Sequence, residues 1–314
     1  MQRVATPAPI LVNPTAGPRA VPTRRRLEGV LAKRGLALTV AEMRPGELRT
    51  TVRALRDAGA PVVAVAGGDG TVRAAASVLA GSDTALAIVP TGSLNSFARR
   101  IGISSMDAAL DALEDGRTVS VSIGVVDDHV FLNTATFGQY ATVVRRRERL
   151  RRWMGKWPAA GVAFARAVRR LQPVSITIDL PDGTIERETP LLWVGLGRSS
   201  FPRARAADVP IDARDLEVVL ARVANRRIAF AFLARIFLRA LRERPATDDR
   251  AIDLLHTHHL VLRAPDRIEA TLDGEVFQFR APTAVSIQAD GLKVVAPRAA
   301  LSDARAAGRN ADNT

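Results

Sequence analysis

Cysteine is absent from this 314-residue chain, and aromatic residues make up only 4% of it. Without cysteine the chain can form no disulfide, no thiolate nucleophile and no cysteine-ligated zinc site. Scarce aromatics weaken the case for a nucleic-acid reader, because such proteins usually interleave aromatic rings with basic side chains. The best candidate for a membrane span, residues 228–241, is short and carries Arg235 and Arg239, so we expect no transmembrane helix.

Lysine is also rare, although the formal net charge is +13. Lys33, Lys156 and Lys293 are the only lysines, and arginine supplies the rest of the positive charge. Such an excess favours an anionic partner, namely a nucleotide, nucleic acid or an anionic membrane surface. A solvated, arginine-rich surface is the alternative explanation for part of it. The N-terminal residues show no signal-peptide pattern, so we expect a cytoplasmic protein.

The first 124 residues alternate short apolar runs with amphipathic segments, which predicts an open α/β domain. After Thr118 the pattern changes to period-two alternation, which predicts a mainly antiparallel β-sandwich domain over residues 125–298. The last strand of this domain can also return to the first domain. Two long helices are predicted within this second domain, at 140–171 and 225–242. Residues 299–314 are small, polar and unpatterned, and we expect a disordered tail.

Individual elements follow from the same periodicities. Helices are predicted at 23–34, 46–58, 72–80, 97–102 and 106–116, among strands at 9–13, 36–42, 61–66 and 84–89. In the second domain the alternation predicts a hairpin of strands 119–126 and 130–136 and, among others, single strands at 254–264, 284–288 and 292–295. Asp182-Gly183, Asp273-Gly274 and Asp290-Gly291 are each predicted to form a turn.

The most informative segment is the glycine loop, Gly67-Gly68-Asp69-Gly70-Thr71. It follows a buried apolar strand and precedes a helix, and glycine lets the backbone approach an anion closely while free amide N–H groups point at it. A carboxylate in such a loop repels phosphate unless a cation or a transferable proton lies between them. Asp69 therefore indicates chemistry on a Mg²⁺–nucleotide rather than simple anion binding.

Two further loops follow apolar strands of the first domain, at Asn13–Gly17 and Pro90–Asn95. Ligands of open α/β sheets bind at the carboxyl ends of the strands, so we expect the three loops to converge on one phosphate site. The alternative is that they are ordinary βα connections. Neither a G-x-x-x-x-G-K-[ST] loop nor a G-x-G-x-x-G fingerprint after a strand is present, and the protein-kinase motifs are absent too.

Four motifs in order resemble the catalytic domain of the diacylglycerol kinase and sphingosine kinase family. They are Asn-Pro-Thr-Ala-Gly at 13–17, Gly-Gly-Asp-Gly-Thr-Val at 67–72, Pro-Thr-Gly-Ser-Leu-Asn-Ser-Phe-Ala-Arg at 90–99 and Leu-Asp-Gly-Glu at 272–275. The resemblance extends over about residues 8–298 and includes Phe131–Gly138, which opens the family's second domain. The segment 155–159 is similar to a bacterial lipid kinase branch.

The resemblance implies an ATP- and Mg²⁺-dependent lipid kinase that transfers the γ-phosphate to a diacylglycerol-like hydroxyl at an anionic membrane surface. Asp273 and Glu275 would lie at the acceptor hydroxyl, one of them as general base, and Asp69 would help to organise the phosphate and the metal. The residues implied to contact ATP are Asn13, Pro14, Thr15, Ala16, Gly17, Gly67, Gly68, Asp69, Gly70, Thr71, Val72, Arg73, Ala74, Gly92, Ser93 and Asn95. The alternative for Asp273-Gly274 is a plain β-turn.

The chain departs from the family pattern at several carboxylates. Most relatives have aspartate at the position of Ser96, Asp-Leu-Gly at residues 122–124 and Asp-Asp-Gly at 212–214, where this chain has Asp-Ala-Arg. Each lost carboxylate removes a possible support for a magnesium–water network. A catalytically impaired nucleotide- or lipid-binding protein on the same fold, and a kinase of a soluble acceptor similar to NAD kinases, therefore stay open as alternatives.

The basic segment 145–157, which ends in two tryptophans, is the clearest candidate for membrane contact. Read as an interfacial helix, its arginines would meet anionic headgroups and its indole rings would lie at headgroup level, which predicts a peripheral protein of the inner membrane face. The alternative is a solvated helix with both rings packed on the domain. The residues concerned are Arg145, Arg146, Arg147, Arg151, Arg152, Trp153 and Trp157.

Three histidines, His256, His258 and His259, resemble a metal cluster at first sight. In a strand of period two, however, His256 and His258 share a face that His259 does not, and no carboxylate has matching spacing. We therefore interpret them as structural or surface histidines.

Overall fold

The computed structural model describes residues 9–14, 23–44, 46–138, 174–189, 191–197, 210–221, 252–264 and 267–298. The two long helices predicted at 140–171 and 225–242, the predicted tail and all seven candidate membrane residues lie outside these ranges. Thr15, Ala16 and Gly17 of the first loop lie outside them as well.

The chain divides into two compact units, each built from more than one stretch of sequence. The first comprises Met1–Ile123, Ala206–Ala213 and Gln288–Thr314, and the second comprises Gly124–Arg205 and Arg214–Ile287. In chain order the elements are β1 (Ile10–Val12), α1 (Thr23–Arg34), β2 (Val40–Glu42), α2 (Leu48–Asp57), β3 (Val62–Gly67), α3 (Asp69–Leu79), β4 (Ala85–Pro90), α4 (Ser96–Arg100), α5 (Met106–Asp115), β5 (Arg117–Val126), β6 (His129–Phe131), β7 (Thr134–Gly138), β8 (Val174–Leu180), β9 (Gly183–Thr189), β10 (Leu191–Leu196), β11 (Leu216–Ala221), β12 (Ile252–Thr257), β13 (His259–Arg263), β14 (Arg267–Leu272), β15 (Glu275–Arg280) and β16 (Thr283–Ala296).

The first unit is organised around a parallel sheet in which β2, β1, β3 and β4 are neighbours in that order. All residues of β3 and β4 are buried, as their nearly continuous apolar sequences predict for strands covered on both faces. The C-terminal part of β16 continues the sheet beyond β4, with Val294 opposite Leu86 in parallel register. The open α/β class predicted for this part of the chain is confirmed.

The strand order creates a switch point between β1 and β3. From β1 the chain crosses to β2 on one side, whereas β3 lies on the other side of β1. In open α/β sheets the crevice for a ligand lies outside the carboxyl ends of the strands at such a point. The fold of the first unit therefore directs attention to the residues that follow β1 and β3.

The second unit contains two antiparallel sheets. One has six strands in the order β12-β11-β10-β7-β14-β15, and the other joins the N-terminal part of β16 to β13, β8 and β9. Alternate residues face the interior, for example Ile176 and Ile178 in β8 and Leu260 and Leu262 in β13. The mainly antiparallel class predicted for the second half is confirmed.

Three local predictions for this part of the chain are wrong. The strand predicted at 130–136 is divided into β6 and β7, because the backbone amides of Leu132 and Asn133 bond a carboxylate instead of a neighbouring strand. The strand predicted at 254–264 is divided at His258, since β12 pairs with β11 while β13 pairs with β8 and β16. Asp290-Gly291 ends no strand: Asp290 has a φ of 53°, yet β16 continues through it.

Helix α1 occupies the residues predicted for it, whereas α3 begins three residues earlier than predicted, at Asp69. The second half of the glycine loop is therefore the first turn of a helix. Among the residues that the structure describes, no helix combines the length and apolar character needed to cross a lipid bilayer.

Candidate functional site

The three loops predicted to converge all leave the carboxyl edge of the parallel sheet. Asn13 follows β1, Gly68 follows β3, and Thr91 follows β4. Backbone hydrogen bonds continue the sheet into the loops, since the amide of Asn13 donates to Ala66 O at 3.0 Å and that of Thr91 to Gly67 O at 3.1 Å. The loops thus begin side by side at the switch point.

A side-chain hydrogen bond joins the first loop to the glycine loop. Nδ2 of Asn13 donates to Oγ1 of Thr71 at 2.9 Å, although 58 residues separate them in sequence. Thr71 is buried, and its side chain occupies the space where a Cβ at Gly67 would lie. Gly67 is therefore required for the packing of Thr71, and Thr71 in turn positions Asn13.

The glycine loop meets the loop after β4 through two glycines. A Cβ at Gly92 would lie 2.6 Å from the Cα of Gly68, well inside van der Waals contact. The loop after β4 is also closed on itself, because Asn95 accepts a hydrogen bond from the Gly92 amide and donates one to the Gly92 carbonyl, each 2.9 Å long. Asn95 adopts a left-handed conformation with a φ of 51°. The backbones of the two loops can touch only because neither glycine has a side chain.

Asp69 provides the third link. Its Oδ1 accepts hydrogen bonds from the backbone amides of Ser96, at 2.6 Å, and Phe97, at 3.5 Å. These are the first two residues of α4, whose N-cap residue Asn95 makes no side-chain capping bond. The carboxylate thus serves as the cap of α4 from a position 27 residues upstream.

The resulting surface is suited to an anion. The amides of Asp69, Gly70 and Thr71 lie in the first turn of α3, where no preceding carbonyl of the helix can accept their hydrogen bonds. Ser93 is exposed on the adjacent loop. Val72 and Arg73, which the resemblance also implied, are 3% and 2% exposed, so their side chains belong to the interior of the unit.

Asp273 is held by backbone amides of its own unit. Its Oδ2 accepts from Leu132 N at 2.7 Å, and its Oδ1 accepts from Asn133 N at 2.8 Å and Thr134 N at 3.1 Å. Asp273 N in turn donates to Thr134 O at 2.9 Å. Both oxygens are therefore engaged in fixing the segment between β6 and β7 against the β14–β15 turn.

Glu275 lies two residues further on, at the exposed start of β15 and opposite Leu272. Between them Asp273 and Gly274 have φ values of 49° and 87°, the positive sign required in both central positions of a type I′ hairpin turn. The turn interpretation of Asp-Gly is thus correct, and it is compatible with a site interpretation. The turn places one carboxylate inward on amides and the next carboxyl group toward solvent.

The described residues contain no cluster of metal-ligating side chains. Among them no group of three or more histidine, aspartate or glutamate side chains could hold a metal ion. Asp69 is the carboxylate of the glycine loop, and its Oδ1 already accepts two amide hydrogen bonds. His256, His258 and His259 belong to no such group either, and Nδ1 of His258 lies 2.8 Å from Arg214 O.

Positions that depart from the family pattern are occupied by small neutral groups in the first unit. Ser122 is 1% exposed and its amide donates to Ile211 O at 2.8 Å, which brings the segment containing Ala213 beside β5. Sequence reasoning missed Arg100, which is buried, donates from Nη2 to Pro210 O at 2.7 Å and lies with its guanidinium 6.0 Å from the Phe97 ring centroid. In the sequence, only its place in the helix after the β4 loop could have indicated this role for Arg100.

Comparisons with known proteins agree with the motifs. Residues 7–126 match the family model of the diacylglycerol kinase catalytic domain. The chain is 33% identical over 195 residues to a Pseudomonas aeruginosa protein named "Probable lipid kinase YegS-like", covering 58% of this chain and 62% of that protein. It is 31% identical over 147 residues to a Mycobacterium tuberculosis protein named "Diacylglycerol kinase", covering 45% and 47%. The chain thus spans less than two thirds of the length of either relative.

Solved structures share the fold. One described as a diacylglycerol kinase from Bacillus anthracis str. Sterne has a TM-score of 0.67 at 16% identity, covering 96% of this chain and 99% of that one. Another structure from the same organism has a TM-score of 0.72 at 19% identity, covering 94% and 98%. These structures show the fold, and the family model confirms the resemblance for residues 7–126, which contain the first three motifs.

Proposed function

Residues 7–126 match the family model of the diacylglycerol kinase catalytic domain, and from this premise we propose that the chain is a lipid kinase that takes its phosphoryl group from ATP. The acceptor would be the hydroxyl group of a diacylglycerol-like lipid. Relatives that this chain matches over part of their length are named as a lipid kinase and a diacylglycerol kinase, and these names support the proposal.

One observation carries the proposal. At the switch point of the parallel sheet the glycine loop is linked to the first loop by the Asn13–Thr71 bond and to the loop after β4 by the Gly68–Gly92 and Asp69–Ser96 contacts. Ordinary βα connections need no such links. Their combined effect is to hold two sets of backbone amides in fixed positions, which is what binding of a polyphosphate requires.

We assign the phosphates of ATP to the amides of the first turn of α3 and to the loop closed by Asn95. Glycine at positions 68 and 92 lets the two loops lie in contact, so their backbone amides can act on one ligand. The side chain of Arg73 is buried, so we assign it no direct contact with the phosphates. The residues outside the described ranges, Thr15 to Gly17, keep their predicted role in nucleotide binding.

We assign the proton transfer to Glu275. In the reaction the acceptor oxygen forms a bond to the γ-phosphorus, the bond from that phosphorus to the β,γ-bridging oxygen breaks, ADP leaves, and the hydroxyl proton passes to the Glu275 carboxylate. Asp273 is less suited to accept it, because both of its oxygens accept amide hydrogen bonds. Asp273 instead positions Glu275 by fixing the turn between them.

The membrane role of the basic segment stays a prediction. Charge reversal of Arg145, Arg146 and Arg147 to glutamate should abolish co-sedimentation with vesicles that contain phosphatidylglycerol and leave neutral vesicles unaffected. Equal co-sedimentation of the wild type and the reversed variant would contradict peripheral binding through this segment.

The decisive test of the function is incubation of the protein with radiolabelled ATP, Mg²⁺ and a total lipid extract, followed by separation of labelled lipids. Wild type should yield a labelled lipid and Glu275→Gln should not. The matched control is Glu269→Gln, which alters a half-buried glutamate at a different position of the same β14–β15 hairpin. No labelled lipid from wild-type protein that binds ATP would refute the kinase assignment.

That same outcome would select a second candidate, a nucleotide- or lipid-binding protein without kinase activity. The observation in its favour is that Ser96, Ser122 and Ala213 stand where the family resemblance implies carboxylates, so these positions offer no negative charge to a metal. A labelled water-soluble product in place of a lipid would instead select a kinase of a soluble acceptor.

A further inference from the structure

The carboxylate of Asp69 is placed to join two helix starts. Asp69 is the first residue of α3, and its Oδ1 accepts from the amides of Ser96 and Phe97 at the start of α4. Phe97 is fully buried, so the amides that bond Asp69 belong to a helix anchored in the core of the unit. Beyond the bond from Thr91 N to Gly67 O, this side chain and the Gly68–Gly92 contact therefore hold the two phosphate loops together.

We propose that Asp69 is a positioning residue: it holds the loop after β4 against the glycine loop by capping α4, and it does not bind the metal. This inference rests on the proposed function, because it concerns the site assigned to ATP. It replaces the role in metal binding that the sequence suggested for Asp69.

Two observations distinguish capping from metal binding. First, the backbone amide of Ser96 donates to Oδ1 of Asp69 at 2.6 Å, so this oxygen is engaged by the helix amide. Secondly, the described part of the chain groups no further carboxylates or histidines with Asp69 into a metal site. Magnesium keeps most of its waters and binds readily to phosphates. The Mg²⁺ ion would then bind together with ATP and would not occupy a site on the free protein.

The substitution Asp69→Asn separates the two roles, because asparagine keeps an Oδ1 acceptor and loses the negative charge. Asp69→Ala removes both. If Asp69 caps α4, Asp69→Ala should weaken ATP affinity by about tenfold or more, as expected for loss of a hydrogen bond donated to a charged acceptor, and Asp69→Asn should restore it to within about threefold of wild type. The concentration of Mg²⁺ that gives half-maximal ATP binding should be the same in wild type and Asp69→Asn.

The matched control is Asp83→Asn, which removes one negative charge from an exposed carboxylate of the same unit. Asp83 pairs with Lys293 before the start of β4, at the edge of the sheet opposite the loops. It should change neither ATP affinity nor magnesium dependence. Equal losses of ATP affinity in Asp69→Asn and Asp69→Ala, or a tenfold rise in the Mg²⁺ requirement of Asp69→Asn alone, would overturn the proposal.

A second readout needs no ligand. Hydrogen exchange of the Ser96 and Phe97 amides in the free protein should accelerate by about tenfold or more in Asp69→Ala and stay near the wild-type rate in Asp69→Asn. Unchanged exchange in Asp69→Ala would refute capping even if the protein phosphorylates lipids. Conversely, protected amides with the expected exchange pattern in a protein that phosphorylates nothing would uphold capping while the kinase assignment fails.

Discussion

Replacement of Gly92 by alanine probes the contact between the two phosphate loops directly. The new Cβ would lie 2.6 Å from the Cα of Gly68 and 2.8 Å from Oδ1 of Asn95. Carbon atoms in contact stay about 3.5–4.0 Å apart, so the loops must separate by about 1 Å. The closing hydrogen bonds between Asn95 and residue 92 must also lengthen.

The size of the effect follows from these distances. Overpacking of a close contact costs about 1–3 kcal/mol, and the backbone atoms involved cannot move as a flexible side chain would. A shift of about 1 Å in one phosphate loop misaligns its amides with the phosphates, for which we expect an ATP affinity lower by about tenfold or more, equivalent to about 1.4 kcal/mol. Gly29→Ala is the matched control, since Gly29 lies in α1 and a Cβ there has no neighbour within 4 Å.

Isothermal titration calorimetry would measure the ATP affinity of each variant, and urea unfolding would measure its free energy of unfolding. Gly29→Ala should bind ATP as the wild type does and gain up to about 1 kcal/mol of stability, because alanine favours helix. Gly92→Ala should lose both affinity and stability. Wild-type affinity in Gly92→Ala would refute the inference that the two loops act together on one ligand.

Three other substitutions test other parts of the molecule. Glu275→Gln should lower the initial rate of lipid phosphorylation by about 10²–10⁴-fold with ATP affinity unchanged, the range for loss of a general base. Asp273→Ala leaves three amides without their acceptor and should lower the free energy of unfolding by about 2 kcal/mol or more in urea titrations, whereas a plain turn residue would lose less. The hydrogen bond from Arg263 lowers the pKa of Asp179, so this carboxylate stabilises the fold above its unfolded pKa of about 3.8, and the stabilisation is lost as the pH falls through the folded value. Arg263→Ala should therefore raise the pKa of Asp179 in a carboxyl NMR titration, and an unchanged pKa would refute the pairing.

Local patterns predicted most of the first unit because local forces determine it. Helix α1 has the predicted bounds, since its periodicity ends at Gly35, a glycine with a φ of 68° that terminates a helix readily. The strands before the loops were recognisable because both faces are buried and their sequences are apolar throughout. Convergence of the loops followed from the rule for carboxyl ends of parallel strands.

Features that depend on distant partners escaped prediction. The break at His258 separates two strands that pair with different sheets, and nothing in the alternation of residues 254–264 marks it. The break at Leu132 and Asn133 depends on Asp273, about 140 residues away. The cap that Asp69 provides for α4 requires the folded sheet to bring β3 and β4 together, so the sequence could suggest a charged group in the loop but not its partner.

The last strand has a consequence for the order in which the chain folds during synthesis. Residues 288–298 complete the first unit: Val294 pairs with Leu86 of β4, Gly291 O accepts from the Gly81 amide, and Lys293 bonds Asp83. The segment that matches the family domain, residues 7–126, therefore emerges from the ribosome with the β4 edge unpaired. An unpaired parallel edge invites association with other chains. Some 160 further residues must be synthesised before β16 can pair with β4, which takes about ten to thirty seconds at ordinary elongation rates.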